Sequence, residues 1–304
     1  MNRPKCIIIA GPTASGKTSI SVALAQAFDG EIVNADSMQV YRGMDIGTAK
    51  PTPEEQNGIP HHLLDVVDPD EEFNAAIYRS RALPVISDVV SRGKTCFVTG
   101  GTGLYIKSLA KGLFHCPPTN MELRTALRRE CESKGAQALH ERLKHLDPES
   151  AGKIHPNDKA RIIRNLEIAD LTGRRPSDLI KEHGFSDTPL NTLTICLDVE
   201  RQELYKRIDK RSVAMVDEGL AKETEHLLNK GYASDLKPMQ SIGYRHMVNY
   251  LQGKWSLEEA LHIIQRDTRR YAKRQLTWFK GDSDNVWIAP EEMERIQAKI
   301  REFL

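Results

Sequence analysis

The sequence has no long apolar run, few cysteines and no excess of charge of either sign. Its longest uninterrupted apolar segment, residues 6–10, is far shorter than the roughly 20 residues of a membrane-spanning helix, so we expect no membrane segment. The 5 cysteines are widely spaced and include no C-x-x-C pair, which argues against a disulfide framework or a zinc finger. With 43 Lys+Arg against 42 Asp+Glu, a histone-like protein is excluded. We expect a protein of the reducing cytoplasm.

Strand and helix patterns alternate along much of the chain. Strands are predicted at 6–10, 31–34, 95–99 and 193–199, and helices at 18–28, at 75–91 and from 103 onward. This alternation predicts an α/β fold with a parallel sheet flanked by helices. Between 117 and 188 the strand pattern stops and three or four amphipathic helices follow, which predicts an all-helical insertion domain in a core formed by 1–116 and 189–304.

A glycine-rich loop follows the first predicted strand and precedes a predicted helix. It reads G-x-x-x-x-G-K-T, the phosphate-binding motif of P-loop NTPase-like folds, in the context that the motif requires. Its backbone N–H groups and the helix dipole suit the diphosphate or triphosphate of a nucleotide such as ATP. Lys17 adds a mobile positive charge, and the Thr18 hydroxyl is expected to bind Mg²⁺. The residues of the predicted diphosphate or nucleotide site are Gly11, Pro12, Thr13, Ala14, Ser15, Gly16, Lys17 and Thr18.

Two further strand ends carry candidate residues. Asp36 follows the second predicted strand, and parallel strand ends meet at one crevice, so Asp36 could face the glycine-rich loop as a general base. The alternative is that Asp36 or Ser37 caps a following helix. Thr102 lies between Gly101 and Gly103 after another strand, and glycines there suit the close approach of a ligand.

Basic residues cluster at three places. Arg207 and Arg211 lie four apart on a predicted helix and are placed as lid residues over phosphates, and Arg161 lies three positions before Arg164 in the insertion. Taken alone, each pair is more typical of a solvated helix face.

The third basic group lies on a long helix predicted at 257–280, after Ser256 and Glu259 at capping-box spacing. One face of this helix is predicted to be buried, and it comprises Leu257, Leu261, Ile264, Thr268, Tyr271, Ala272, Gln275 and Phe279. The opposite side is called here the basic face and comprises Arg266, Arg269, Arg270, Lys273 and Arg274. Together these groups favour a polyanion larger than a nucleotide.

Taken together, these motifs resemble the tRNA dimethylallyltransferase (tRNA isopentenyltransferase) family in its bacterial form. The resemblance extends from the first strand almost to the C-terminus. Ala160 departs from it, because we expect a polar residue there. The blocks that carry the resemblance are GPTASGKT at 11–18, NADSMQVYRGMDIGTAKP at 34–51, GGTGLYIKSL at 100–109, RIIRNLEI at 161–168, SIGYRHM at 241–247 and YAKRQLTWF at 271–279.

The resemblance implies transfer of a dimethylallyl group from dimethylallyl diphosphate to N6 of the adenosine 3′-adjacent to the anticodon, with release of diphosphate. Catalysis would involve Asp36 as general base together with Lys17, Thr102 and Arg211, with Mg²⁺ as cofactor. The implied partners are tRNA and dimethylallyl diphosphate, with no membrane, and a monomer is expected. The residues expected to contact tRNA are Asp36, Ser37, Met38, Gln39, Thr102, Arg124, Arg161, Ile162, Ile163, Arg164, Gly243, Tyr244, Arg245, Arg270, Lys273 and Arg274.

Three alternatives use the same residues. A nucleoside or nucleotide kinase would need the same loop, an acid after the second strand and lid arginines, but it leaves the insertion and the basic helix unexplained. A non-catalytic nucleotide-dependent RNA-binding switch has no need of a base facing the phosphate loop. Prenyl transfer to free adenine nucleotides is the third, and the insertion and basic helix favour tRNA over it.

Overall fold

The computed structural model describes residues 3–114, 116–184 and 187–304. The strands are β1 (Lys5–Ala10), β2 (Gly30–Asn34), β3 (His61–His62), β4 (Thr95–Gly100), β5 (Asn191–Leu197) and β6 (Val286–Ile288). The helices are α1 (Lys17–Ala27), α2 (Pro53–Gln56), α3 (Ala75–Ser91), α4 (Gly103–Lys111), α5 (Met121–Lys134), α6 (Ala136–Leu146), α7 (Pro148–Gly152), α8 (Lys159–Thr172), α9 (Pro176–His183), α10 (Arg201–Asp217), α11 (Leu220–Asn229), α12 (Tyr244–Leu251), α13 (Leu257–Lys280) and α14 (Met293–Phe303). The described helices include none that is long and apolar enough to span a membrane.

The chain divides into two compact units, one formed by 1–110 with 189–304 and the other by 111–188. In the first unit the six described strands form one parallel sheet in the order β3-β2-β4-β1-β5-β6. The central strand β1 is flanked on both sides, with Ile7 opposite Phe97 and Leu193. Its residues 6–10 are fully buried, because apolar side chains on both faces of a parallel sheet are covered by helices. The predicted α/β fold class is confirmed.

Two strands were not predicted. β3 and β6 span two and three residues, so they are too short to show a periodicity in the sequence. They lie at the two edges of the sheet and complete it.

The carboxyl ends of β1, β2 and β4 lie side by side and place three loops at one edge of the sheet. β1 leads into the glycine-rich loop, β2 into Asp36 and β4 into the turn of Thr102. The last two approach so closely that a Cβ at Gly100 would lie 2.2 Å from the Ala35 carbonyl oxygen. The site is built on this edge.

Helix α13 has the predicted bounds. Its capping box is present, because Glu259 N donates to Ser256 Oγ at 3.1 Å and Ser256 N donates to the Glu259 carboxylate at 2.7 Å. The predicted buried face is largely found, except that Leu257, at the first position of the helix, is 38% exposed. The residues of α13 that are buried are Ala260, Ile264, Thr268, Ala272, Gln275 and Phe279.

The second unit, described by itself, contains five helices, α5 to α9, within its described residues. The sequence predicts three or four, and the short α7 and α9 raise the number. Its core takes the predicted faces of α5 and α6, since Leu127, Cys131, Leu139 and Leu143 are all buried in one cluster. The insertion is predicted to begin at 117, whereas the compact unit begins at 111.

Candidate functional site

The glycine-rich loop has the backbone of an anion-binding cradle. Gly11 and Gly16 have φ values of 145° and 87°, and Ala14 lies at 64°. Helix α1 begins directly after Gly16 and has no side-chain cap, so the N–H groups of its first turn remain available. The Ser15 hydroxyl is buried and has no hydrogen-bond partner among the described residues. The loop therefore presents uncommitted donors where a helix dipole favours negative charge.

The cavity above this loop has a volume of about 450 Å³ and is called the first cavity. Every loop residue from Thr13 to Thr18 lines it, as do Asp36 and Arg211. Gly11 and Pro12 are buried beneath them. The structure thus brings together three of the predicted catalytic side chains, those of Lys17, Asp36 and Arg211, around one space.

The cations Lys17, Arg207 and Arg211 line this cavity together with the carboxylates of Asp36 and Glu55. Burial, and then the charge of Arg211, lower the pKa of Lys17 to about 8, while the charge of Asp36 acts in the opposite direction. Lys17 Nζ donates to the Pro12 carbonyl oxygen at 2.6 Å. Burial also lowers the pKa of Arg211, whose guanidinium donates to the Thr13 hydroxyl. The cavity therefore carries excess positive charge that a bound polyphosphate would neutralise.

Asp36 lines the first cavity beside the glycine-rich loop, and its carboxylate caps no helix. Its Oδ1 accepts backbone N–H groups from Met38 at 2.8 Å and Gln39 at 3.4 Å, so the carboxylate does satisfy local backbone donors. The segment that follows is a series of turns and no helix. Because these bonds involve only Oδ1, the orientation of the carboxylate is fixed while Oδ2 stays available to a substrate.

The Thr102 hydroxyl contacts the segment that contains Asp36. Its Oγ1 accepts the Ser37 N–H at 3.0 Å, and its side chain also interacts with the Tyr271 hydroxyl. Burial, and then the charge of Asp36, raise the pKa of Tyr271. Thr102 thus links the turn after β4 to the segment that holds Asp36.

The glycines beside Thr102 make room for protein side chains. A Cβ at Gly101 would lie 2.3 Å from Gln275 Nε2, and one at Gly103 would lie 2.1 Å from Trp278 Nε1. Both partners belong to α13. The close approach predicted for a ligand is therefore made by this helix.

A second cavity of about 300 Å³ adjoins the first and is called the second cavity. The two cavities have Thr13, Asp36, Thr48, Arg211 and Tyr271 in common as lining residues. Several predicted RNA contacts line only the second one. These are Ser37, Met38, Gly243, Arg245 and Arg274.

Tyr244 and Gln39 were expected to contact tRNA, but their side chains bind other parts of the protein. The Tyr244 ring is buried, and its hydroxyl donates at 2.5 Å to Glu223, whose carboxylate also accepts three backbone N–H groups from residues 45–47. The Tyr244 side chain is therefore a support of that loop and is not available to RNA. Gln39 lines the first cavity and donates to the carbonyls of Thr48 and Ala49.

Arg245 is oriented by an acidic partner from α13. Its guanidinium and that of Arg266 both bind Asp267. His246 lies buried below, where burial and then the charge of Arg245 lower its pKa to about 4, so it is neutral at physiological pH. Arg245 is thereby held at the wall of the second cavity.

The basic face of α13 is only partly free. Arg269 pairs with Asp209 at 2.5 Å and Arg266 with Asp267 at 3.0 Å. The other three members are exposed: the Arg270 side chain is 65% accessible although it lies 3.7 Å from Asp267, and Arg274 lies over the Tyr271 ring. Arg270, Lys273 and Arg274 are thus the members of this face that remain presentable to a polyanion.

In the helical unit, two predicted RNA contacts form a buried ion-pair cluster. Arg124 and Arg164 bind the fully buried Glu167 at 2.6 and 2.8 Å. Burial opposes ionisation of Glu167, but hydrogen bonds from these arginines and from the Asn120 N–H outweigh it and lower its pKa. Arg164 therefore does not form the solvated face considered above. Arg161 is exposed and lies 3.5 Å from Asp158.

Ile162 and Ile163 were expected to contact tRNA, but their side chains are buried. They are 0% and 7% exposed and belong to the core of the helical unit, so their side chains have a packing role. Arg124, Arg164 and Ala160 line a cavity of about 410 Å³ in this unit with other basic residues. Those others are Arg128 and Lys159.

The sequence did not predict Tyr271 and Gln275 as individual site residues, and it placed them only on the buried face of α13. Tyr271 lines both cavities. Gln275 accepts the Thr13 N–H and donates to the Gly101 carbonyl, both at 2.8 Å. The sequence did contain one signal for Gln275, because a polar residue on an otherwise apolar helix face needs a hydrogen-bond partner.

The oxygen donors around the first cavity fit a magnesium ion. Mg²⁺ is held by one or two protein oxygens together with substrate phosphates. The Thr18 hydroxyl and the Asp36 carboxylate line the cavity, and the unpartnered Ser15 hydroxyl lies in the same loop. These hard donors, few in number, suit an ion bound mainly through a diphosphate.

Comparison with known proteins gives concordant matches. A family model described as IPP transferase matches residues 39–282. The tRNA dimethylallyltransferase 2 of Geotalea uraniireducens (strain Rf4) is 52% identical over 300 residues, covering 98% of this chain and 97% of the relative. The tRNA dimethylallyltransferase of Geobacter sulfurreducens is 51% identical over 287 residues, covering 94% and 92%.

Solved structures agree. The full-length tRNA isopentenylpyrophosphate transferase from Bacillus halodurans superposes with a TM-score of 0.73 at 41% identity, covering 99% of this chain and 97% of that one. A eukaryotic dimethylallyltransferase, described as acting on tRNA, superposes with a TM-score of 0.79 at 31% identity, covering 98% and 77%.

Proposed function

Because the chain belongs to the IPP transferase family, as its motifs predicted, and is thus a prenyltransferase, we propose that it modifies tRNA. It transfers the dimethylallyl group of dimethylallyl diphosphate to N6 of the adenosine 3′-adjacent to the anticodon. The N6–carbon bond forms, the carbon–oxygen bond to diphosphate breaks, and the N6 proton passes to a base. The products are N6-isopentenyladenosine in tRNA and diphosphate.

The observation that carries this proposal is the position of Asp36 between two adjoining cavities. One cavity lies above the glycine-rich loop and the other opens beside it. A transferase with two substrates needs one space for the leaving group and one for the acceptor, with a base where they meet. Asp36 lines both spaces.

The first cavity takes the diphosphate. The N–H groups at the start of α1, Lys17 and Arg211 surround its oxygens, while the Thr13 N–H stays bonded to Gln275. The Lys17 pKa rises again when the anion neutralises the positive charge around it. Bound Mg²⁺ adds positive charge to the leaving diphosphate, with Thr18 as the residue that would hold it.

The second cavity takes the acceptor adenine. The exocyclic amine is a weak nucleophile because its lone pair is delocalised into the ring, so Asp36 must remove its proton during attack. A stacked base cannot enter such a cavity, and the adenosine is flipped out of the anticodon loop. Arg270, Lys273 and Arg274 then contact the RNA backbone.

Purified protein with Mg²⁺, unmodified tRNA and dimethylallyl diphosphate tests the proposal directly. The RNA is digested and examined by mass spectrometry for N6-isopentenyladenosine, which we expect with the wild-type protein and not with Lys17→Ala. A parallel reaction with AMP as acceptor tests transfer to free nucleotides. Absence of the modified nucleoside, with transfer of ³²P from [γ-³²P]ATP to a nucleoside or nucleotide, would identify a kinase and refute the proposal.

A further inference from the structure

Gln275 joins two segments that are far apart in the chain. From its buried position on α13, its Oε1 accepts the Thr13 N–H and its Nε2 donates to the Gly101 carbonyl, each at 2.8 Å. Thr13 belongs to the glycine-rich loop, and Gly101 to the turn after β4. A single side chain therefore connects the loop to that turn.

The chemistry of this contact is specific to an amide. One end must accept and the other must donate, and both partners are backbone groups whose roles cannot reverse. Gln275 lies beside the apolar Ala272 and Phe279 on the buried face, where an unpaired polar group would be costly. The absence of a side chain at Gly101 allows the amide to approach.

The turn held by Gln275 also holds the segment of Asp36. Thr102 N donates to the Ala35 carbonyl at 3.2 Å, and Thr102 Oγ1 accepts the Ser37 N–H at 3.0 Å. Gln275 is thus hydrogen-bonded to the glycine-rich loop and to Gly101, and the adjoining residue Thr102 is hydrogen-bonded to the residues on either side of Asp36.

We propose that Gln275 is a positioning residue that holds the glycine-rich loop and the Asp36 segment at a fixed separation. This inference rests on the proposed function, in which the loop holds the departing diphosphate and Asp36 removes the N6 proton as the N6–carbon bond forms. Each substrate has its own binding groups and still binds without Gln275. Without Gln275, however, the separation of the reacting atoms is no longer fixed, and a misplacement of about 1 Å costs roughly 100-fold in rate.

Gln275→Met tests this, because methionine has a similar length and makes neither hydrogen bond. Gln265→Met is the matched control: Gln265 lies on the same helix, is half-buried and donates to the Asp209 carbonyl at 3.3 Å. In single turnover at saturating substrates, Gln275→Met lowers the rate constant roughly 10- to 100-fold. Its product amplitude and both substrate dissociation constants stay within about threefold of wild type. A rate constant equal to that of the control, or a loss confined to the amplitude, overturns the proposal.

Gln275→Glu adds a pH readout. The ionised carboxylate can still accept from Thr13 but cannot donate to the Gly101 carbonyl, whereas the protonated acid can do both. The rate of this variant relative to wild type therefore rises as pH falls from 7.5 to 5.5. The corresponding ratio for Gln265→Glu stays constant. A constant ratio for Gln275→Glu contradicts the inference.

Amide hydrogen exchange gives a readout that does not depend on turnover. Gln275→Met accelerates exchange in the peptide that contains Thr13, and Gln265→Met does not. Unchanged exchange there overturns the inference even if the enzyme is active. If the wild-type protein forms no product, the proposed function fails, and the exchange result still decides whether Gln275 holds the loop.

Discussion

Replacing Lys17 by methionine should stabilise the protein while abolishing its activity. In the folded chain, burial and the Arg211 charge lower the Lys17 pKa from 10.5 to about 8. This shift means that keeping the ammonium charged at neutral pH costs about 3 kcal/mol of folding free energy. Methionine has a similar length and removes that cost. It also loses the hydrogen bond to the Pro12 carbonyl, worth about 1 kcal/mol, so the expected net gain is about 2 kcal/mol.

The sign of this effect fixes its pH dependence. Below pH 8 the lysine is charged in both the folded and unfolded chains, so the full cost is present. Between pH 8 and 10.5 the folded form becomes neutral while the unfolded form stays charged, and the cost declines. The advantage of Lys17→Met should therefore be largest at and below pH 7.5 and shrink as pH rises toward 10.

Chemical denaturation at pH 7 and pH 9.5 measures both the gain and its pH dependence, and a gain of about 2 kcal/mol corresponds to roughly 3 °C in Tm. Lys206→Met is the control, because Lys206 lies exposed on α10. Equal or lower stability of Lys17→Met at pH 7, or an advantage that does not shrink with pH, would refute the electrostatic reasoning. The same variant should form no isopentenyladenosine.

The remaining predictions concern the chemistry and the RNA. Asp36→Asn keeps an oxygen that can accept from Met38 but cannot take a proton, so turnover should fall at least about 100-fold while tRNA affinity in filter binding stays within a few-fold; full activity would remove Asp36 from the mechanism. Reversing the charges of Arg270 and Lys273 should weaken tRNA binding. It should also reduce the slope of log affinity against log salt concentration by about two. An unchanged salt series would mean that these side chains are merely solvated. Calorimetric affinity for inorganic diphosphate should fall above pH 8 in the wild type relative to Lys17→Met, since the unbound lysine loses its proton there; parallel pH profiles would contradict the assigned role.

The elements that the sequence predicts correctly are those whose signals are local. The buried strand at 6–10 is an apolar run, and α13 has both a capping box and an amphipathic period. The proximity of Asp36 to the glycine-rich loop followed from a topological rule, because neighbouring parallel strands end at one edge.

What the sequence could not predict depends on tertiary partners. Arg164 and Arg124 look like surface cations in a helix pattern, and only the packing of α5 against α8 shows that a buried Glu167 lies between them. Tyr244 lies in a block that resembles RNA-binding residues, yet its hydroxyl meets a carboxylate 21 positions away. The partners of Gln275 are 262 and 174 positions away, beyond any periodicity.

The charges of the site have a consequence for the order of events in the proposed reaction. Lys17 and Arg211 are half-buried and close enough to interact, and the charge of Asp36 offsets theirs only in part, since both pKa values stay lowered. The site without ligand is therefore electrostatically unfavourable. A prenyl diphosphate ester relieves part of this excess positive charge. When the carbon–oxygen bond breaks, the departing diphosphate gains a further negative charge, and the same two cations then interact with it more strongly. Because this interaction grows as the bond breaks, it lowers the barrier to transfer more than it strengthens binding of the ester.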